Sequence, residues 1–190
     1  MPGSADPGDG TTLSRRRFLR SVAGCTGLLL APLGALGAEP SPGRTVSLVN
    51  THTGETLSAR YCSGDAYDAG CLVRVNHFLR DFRSGEVHPI DPRLLDILYR
   101  LQVLADREAT YEVISGYRSP QTNAALHRSS SGVSVHSLHM YGRAIDVRMQ
   151  GLPTCKLHEL ALSLWSGGVG YYPHSDFVHL DTGRVRRWEG

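Results

Sequence analysis

Residues 169–181 read VGYYPHSDFVHLD, two β-prone runs joined by a short polar turn. Such runs around a turn that contains proline and serine, here at residues 173–175, are typical of a β-hairpin. Because alternate side chains of a strand share one face, His179 and Asp181 are expected to point the same way. The stretch therefore predicts a pair of antiparallel strands, with two polar side chains on one face of the second strand.

The rest of the chain alternates between helical and β-strand patterns. Apolar residues at helical spacing, together with Ser, Thr or Asp next to proline or at a capping position, predict four helices. These helices are expected at residues 72–82, 91–104, 119–127 and 154–165. Short β-prone runs predict four further strands at residues 45–50, 55–62, 111–115 and 144–149. This mixture implies a single α+β domain, in which helices flank a small antiparallel sheet.

The first 38 residues are predicted to be a twin-arginine signal peptide. The sequence SRRRFLR at residues 14–20 leads into an apolar run without acidic residues, which ends in small residues suited to cleavage after Ala38. A short membrane anchor is the alternative interpretation. Residues 39–44 are rich in Pro and Gly and are interpreted as a flexible linker, so residues 45–190 form the predicted domain. An export signal of this kind predicts a periplasmic protein.

Charge and cysteine content restrict the class of protein. The net charge of the chain is +2, and the four arginines and two aspartates of the predicted signal account for that excess. The remaining sequence is neutral and has no basic patch that would indicate nucleic-acid binding. After residue 38 no apolar stretch is long enough to span a bilayer. Cys62 and Cys71 could close a short disulfide loop in an exported protein, or could be small buried apolar groups.

Two histidines and one aspartate form the candidate metal site. His139 and Asp146 lie seven residues apart, with Gly142 between them, in the sequence SLHMYGRAID. This spacing allows a residue in a loop to meet one on the following strand, and glycine permits the turn between them. Together with His179 these residues offer three protein ligands and leave a fourth position open, as in catalytic zinc sites.

Each candidate also has an ordinary structural interpretation. Asp146 could form an ion pair with a neighbouring arginine, since a buried carboxylate needs a partner. Arg118 follows a predicted strand and could stabilise a developing oxyanion, or could be a surface arginine. Asp181 suits a carboxylate that handles protons or orients a ligand, and Asp176 is the other acid near His179. One of these two acids could instead cap the turn, and the other could pair with a nearby arginine.

These motifs together resemble a known family of zinc enzymes. The pattern SxHxxGxAxD at residues 137–146 is similar to the first zinc motif of the D-Ala-D-Ala metallopeptidases, which share a Hedgehog-like fold. The segment at residues 177–183 is similar to the second zinc motif. The resemblance extends from about residue 45 to the end and is greatest to the MepK-type murein endopeptidases. It implies bound Zn²⁺ with the ligands His139, Asp146 and His179.

The resemblance also implies a reaction and a substrate. The expected function is hydrolysis of peptide cross-links between peptidoglycan stems by a monomeric zinc metallopeptidase, with Arg118 as electrostatic helper. Relatives differ in where they place this acid. Asp181 is expected to be the catalytic or site-organising acid because the strand pleat directs it to the same side as His179, and Asp176 is the second choice. Tyrosines at positions 117, 171 and 172 could line the substrate groove. The alternatives are a DD-carboxypeptidase with the same site, and a non-catalytic murein-binding module with a structural zinc.

Overall fold

Eight strands and four helices make up the described part of the chain, which is residues 43–130 and 132–190 of a computed structural model. The strands are β1 (Gly43–Asn50), β2 (Thr56–Ser63), β3 (Ala66–Tyr67), β4 (Thr110–Ser115), β5 (Ala144–Met149), β6 (Gly168–Tyr172), β7 (Phe177–Asp181) and β8 (Arg186–Glu189). The helices are α1 (Ala69–Phe78), α2 (Arg93–Leu104), α3 (Pro120–Ser129) and α4 (Thr154–Ser163), and Leu138–Tyr141 form a short 3₁₀ helix. The predicted export signal lies outside the described residues.

The strands form one sheet in the order β3-β2-β1-β4-β5-β7-β6-β8. The α+β class and the hairpin of β6 and β7 are confirmed. The sheet is larger than predicted and is mixed, because β1 pairs with β4 and β6 pairs with β8 in parallel. The other five pairings are antiparallel. Parallel pairs need partners joined by a longer crossover, so the local hairpin patterns did not reveal them.

The two faces of the central strands have different roles. Ile145 and Val147 of β5, and Val178 and Leu180 of β7, are buried in one hydrophobic cluster with apolar residues of α1, α2 and α4. Because side chains alternate along a strand, the residues between them face the other side of the sheet. Burying each such apolar side chain contributes about 1.5–3 kcal/mol to folding. This core therefore holds the polar face of β5 and β7 in a fixed register.

Several helix and strand ends differ from the predicted positions. Ser119 caps α3 as expected, since its side chain accepts a hydrogen bond from the Thr122 amide at 3.2 Å. In contrast, α4 begins at Thr154 itself, with Pro153 at the capping position. Strand β1 begins at Gly43 and so includes the last two residues of the predicted linker. The short strands β3 and β8 were not predicted, because two to four residues give little periodicity.

The cysteines of the described residues are all free. Cys62 and Cys71 are buried thiols, and Cys155 is exposed. Of the two alternatives that the sequence left open for Cys62 and Cys71, the structure shows the buried thiols and not the disulfide. The Cys62 sulfur instead accepts a hydrogen bond from Arg44 at 2.7 Å and lies 3.2 Å from the carbonyl of Gly64. Within the described part of the chain, none of the helices has the length and hydrophobicity that crossing a bilayer requires.

Candidate active site

A short 3₁₀ helix places His139 next to the sheet. The Ser137 hydroxyl accepts a hydrogen bond from the His139 amide at 3.4 Å, and Gly142 ends the helix in the left-handed conformation with φ 62°. A Cβ at position 142 would lie 2.1 Å from the carbonyl oxygen of Pro89, so only glycine fits the turn. The predicted role of Gly142 is confirmed, and the His139 ring is almost fully buried.

Asp146 and His179 are direct neighbours across the pairing of β5 and β7. Asp146 Oδ1 lies 2.8 Å from His179 Nδ1 and 3.2 Å from His139 Nε2, and the two nitrogens are 3.2 Å apart. All three residues are buried. The structure thus brings together the three residues that the sequence predicted as metal ligands, with one atom of each facing a common centre.

The hydrogen bonds on the outer side of each imidazole fix which nitrogen carries a proton. His139 Nδ1 lies 2.7 Å from the carbonyl oxygen of Gly116, which can only accept, so this nitrogen is the donor. His179 Nε2 faces the Asp181 carboxylate at 3.1 Å and is the donor for the same reason. In the neutral rings, the lone pairs of His139 Nε2 and His179 Nδ1 then point at each other and at Asp146. Three acceptors in such contact could hold a cation between them.

The titration of these groups agrees with a cation site. Burial lowers the pKa of His139 to about 4, so this ring is neutral at physiological pH. Burial also acts to raise the pKa of Asp146, but His139 and Arg118 outweigh it and hold that pKa well below its usual range. For His179, hydrogen bonds to Asp146 and Asp181 outweigh burial and raise the pKa. A proton on His179 Nδ1 and a metal ion would compete for the same position, so metal binding would release that proton.

Arg118 contacts two of the three predicted ligands, Asp146 and His139. Its Nη2 donates to Asp146 Oδ2, the oxygen that faces away from the histidines, and its Nε donates to Ser115 Oγ at 2.7 Å. Its backbone amide donates to the His139 carbonyl at 3.2 Å. Its Nη1 makes no hydrogen bond to any residue that the structure describes, while the side chain lines the cavity described below. Arg118 thus fixes the orientation of Asp146 and keeps donor capacity for a ligand.

Asp181 lies behind His179 rather than beside the cluster. It is fully buried, and its Oδ2 accepts from Arg186 Nη2 at 2.7 Å as well as from His179. Its Oδ1 accepts from Arg186 Nη1 at 3.0 Å and from the amides of Gly168 and Gly183. Burial raises its pKa, but these donors outweigh burial and lower it. The carboxylate is therefore ionised and saturated with donors, which suits orientation of the imidazole.

Asp176 lies at the turn between β6 and β7, apart from the cluster. Its Oδ1 accepts from Thr154 Oγ1 at 2.7 Å, and its Oδ2 lies 3.6 Å from Arg148 Nη1. The side chain is 59% exposed and does not line the cavity. In this position Asp176 connects the turn to the first residue of α4.

An open cavity of about 450 Å³ leads to the three clustered residues. One wall is the loop segment GVSVHS at residues 132–137, which α3 holds through hydrogen bonds from Asn123 and His127 to its backbone. Of the three tyrosines predicted for a groove, only Tyr172 lines the cavity. Tyr117 is buried against His88, and Tyr171 stacks on His158.

The two loop histidines near the motifs differ in position, since His136 lines the cavity and His174 does not. Other lining residues were not singled out from the sequence. Phe177, Arg186 and Trp188 form part of the wall, and their role follows only from the sheet order. Arg186 lies on β8, a strand that was not predicted. The sequence around Trp188 carries no spacing signal that relates this tryptophan to the histidines.

An α+β domain with a buried His-Asp-His group that could hold a metal ion, reached through an open cavity, is the arrangement of a metallopeptidase. The chain belongs to the peptidoglycan L,D-endopeptidase MepK family, whose model matches residues 39–188. A similar protein of Escherichia coli K12, named peptidoglycan L,D-endopeptidase MepK, is 42% identical over 177 residues. The match covers 92% of this chain and 97% of that protein. A Haemophilus influenzae protein, named probable peptidoglycan L,D-endopeptidase MepK, is 40% identical over 180 residues, which cover 93% and 96% of the two chains.

Proposed function

We propose that this protein is a zinc-dependent peptidoglycan L,D-endopeptidase, which cleaves peptide cross-links between stems in the periplasm. The observation that carries the proposal is the convergence of three lone pairs, from His139, Asp146 and His179, at the end of an open cavity. The membership in the MepK family supports both the reaction and the substrate. A periplasmic location follows from that substrate, and a twin-arginine signal would deliver the protein there.

The donor set fits zinc better than a hard cation. Two imidazoles and one carboxylate are typical zinc ligands, while calcium and magnesium prefer oxygen ligands alone. Zinc bonds of 2.0–2.1 Å in a tetrahedron place neighbouring donors about 3.3 Å apart. The observed separations of 3.2, 3.2 and 2.8 Å are close to that value. No fourth His, Cys, Asp or Glu joins the group among the described residues.

The protein's own groups orient the site and balance its charge. When bound, zinc would supply Lewis-acid polarisation of the scissile carbonyl and a lowered pKa of water. Asp181, held by Arg186, fixes the His179 ring so that Nδ1 faces the ion. Arg118 neutralises Asp146 and offers its free Nη1 to the oxygen that gains negative charge during attack on the amide. The segment at residues 132–137 and the side chains of Tyr172, Phe177 and Trp188 line the cavity, in which an extended peptide would bind.

The open fourth position favours an enzyme over a non-catalytic module, because a structural zinc site is closed by a fourth protein ligand. A DD-carboxypeptidase would need a pocket that ends at a free terminal carboxylate. The names of the relatives favour an endopeptidase instead. Incubation of the zinc-loaded protein with cross-linked muropeptide dimers tests the proposal. Two monomeric stems are the expected products by mass spectrometry. Loss of terminal D-Ala alone would show a carboxypeptidase, and unchanged dimers would contradict both.

The two acids near His179 should respond differently to substitution. Asp181→Asn removes the negative charge behind His179, and we expect zinc affinity to fall about 10- to 100-fold, as for other residues that orient a metal ligand. Asp176→Asn, which changes only the turn, should leave both zinc affinity and kcat within about threefold of the wild type. Competition with a fluorescent chelator measures the affinity, and steady-state cleavage of dimers measures kcat.

Two outcomes would contradict these expected roles of Asp176 and Asp181. A fall of kcat by 100-fold in Asp176→Asn, with zinc affinity intact, would assign the catalytic acid to Asp176. An unchanged zinc affinity in Asp181→Asn would show that the carboxylate does not orient the ligand.

A further inference from the structure

Two glycines of β6 leave a gap on the face of the sheet that carries the metal-site residues. Gly168 and Gly170 are the parallel partners of Arg186 and Trp188 on β8. A Cβ at position 168 would lie 2.4 Å from the Arg186 guanidinium, and one at position 170 would lie 2.5 Å from the Trp188 ring. The side chains of β8 therefore lie across the bare backbone of β6 and reach β7, one strand further into the sheet.

Each of these two side chains meets a different residue of β7. Arg186 forms the ion pair with Asp181. The Trp188 ring lies next to the His179 ring, with centroids 5.1 Å apart, and Asp146 is the next residue in the same cross-strand row. The gap thus brings an indole from the outermost strand to the edge of the metal site.

Two contacts hold the indole in place, and a third interaction supports one of its partners. Its Nε1 donates to Tyr172 Oη at 2.9 Å, and the Arg186 guanidinium lies 4.9 Å from the ring centroid. Tyr172 in turn stacks on Phe177 with centroids 4.5 Å apart. We call Tyr172, Phe177 and Trp188 the aromatic wall. All three are only partly buried and line the cavity, so they present a preformed apolar surface beside the metal site.

We propose that Trp188 is a specificity-determining residue, whose indole packs against the aliphatic side chain of the diamino acid that cross-links two peptide stems. This inference rests on the proposed function. A cross-link between stems requires a residue with a second amine at the end of a methylene chain. That chain lies close to the scissile amide, and therefore close to His179 and Trp188. A rigid aromatic face next to the reacting centre is suited to bind methylene groups.

The test compares two dimeric substrates that differ only in the length of the cross-linking side chain. We expect Trp188→Ala to lower kcat/KM for the dimer with the long natural chain by roughly tenfold or more, mainly through KM, because burial of two or three methylene groups is lost. The dimer with a shortened chain should lose less than about threefold. Zinc affinity should stay within about threefold. Trp165→Ala, which removes an exposed tryptophan outside the cavity, is the matched control and should behave as the wild type.

A second variant and a binding measurement test the same inference independently. Gly170→Ala should displace the indole through the added Cβ and should show the same loss of chain-length preference. The chain contains two tryptophans, so the emission of Trp165→Phe reports on Trp188 alone. Adding the long dimer to this protein in its zinc-free form should shift that emission, without any turnover.

The outcomes that would contradict the role of Trp188 differ from the one that would contradict the proposed function. Equal losses of kcat/KM on both dimers, or a loss confined to zinc affinity, would show that Trp188 only supports His179 and would overturn the inference. An emission of Trp188 that does not respond to the dimer would also contradict it. If the wild type and Trp165→Ala cleave neither dimer, the proposed function itself is wrong.

Discussion

Replacing His139 with alanine is expected to abolish zinc binding and to lower kcat/KM for cross-linked muropeptides by about 10⁴-fold or more. The substitution removes one of three donors and leaves Asp146 and His179 as the only protein ligands, which is too few to retain a catalytic zinc. Loss of the ion removes several kcal/mol of charge stabilisation from the transition state, and each 1.4 kcal/mol is a factor of ten in rate. Metal analysis after dialysis and a dimer-cleavage assay measure the two effects.

The control for this experiment is a histidine that lies near the site in sequence but outside the cavity. His174 lies in the turn between β6 and β7, is exposed and does not line the cavity. His174→Ala should bind one zinc and cleave dimers at the rate of the wild type. Cleavage that persists in His139→Ala after metal removal would contradict the assignment of the site.

Replacing Arg118 with alanine is expected to lower kcat by roughly 10²–10³-fold in zinc-saturated protein, the usual effect of losing one donor to a developing oxyanion. KM should change little, because the interaction strengthens only when negative charge develops. Arg118→Lys should recover part of the activity, since lysine keeps the charge but cannot contact Asp146 and a ligand together. Steady-state kinetics at saturating zinc measure these effects.

A matched arginine separates this effect from a general change in charge. Arg184 is an exposed loop residue outside the cavity, and Arg184→Ala should retain wild-type kinetics. If the Arg118→Ala variant binds zinc more weakly but reaches the wild-type kcat at saturating zinc, the role of Arg118 is only to orient Asp146. The oxyanion role would then be excluded.

The approach of His139 to Asp146 was predictable from the sequence because its determinants are local, whereas His179 joins them through the pairing of β5 with β7. His139, Gly142 and Asp146 lie within eight residues, where one tight turn brings a loop residue to the following strand. The strand pleat correctly placed His179 and Asp181 on one face, and they are in contact. These relations depend on the conformation of a few residues, so periodicity and a glycine position were sufficient.

The surroundings of the site were less predictable because they depend on the order of strands. Trp188 reaches His179 only because β8 pairs in parallel with β6 and because Gly170 leaves the space between them. Neither the parallel pairing nor the close approach has a local signature. The arrangement of Asp181 depends equally on Arg186, whose strand was not predicted. In the same way, spacing alone could not decide whether Cys62 and Cys71 form a disulfide or are buried thiols, and the structure shows buried thiols.

X-ray absorption spectroscopy of the zinc-loaded protein tests the central assignment most directly. The three-residue site predicts one zinc per chain, coordinated by two imidazole nitrogens and by oxygen, with bonds near 2.0–2.1 Å and no sulfur. The spectrum should lose its imidazole features together with the metal in His139→Ala. Sulfur at about 2.3 Å, or a zinc that His139→Ala still binds with the same spectrum, would place the ion elsewhere and contradict the account.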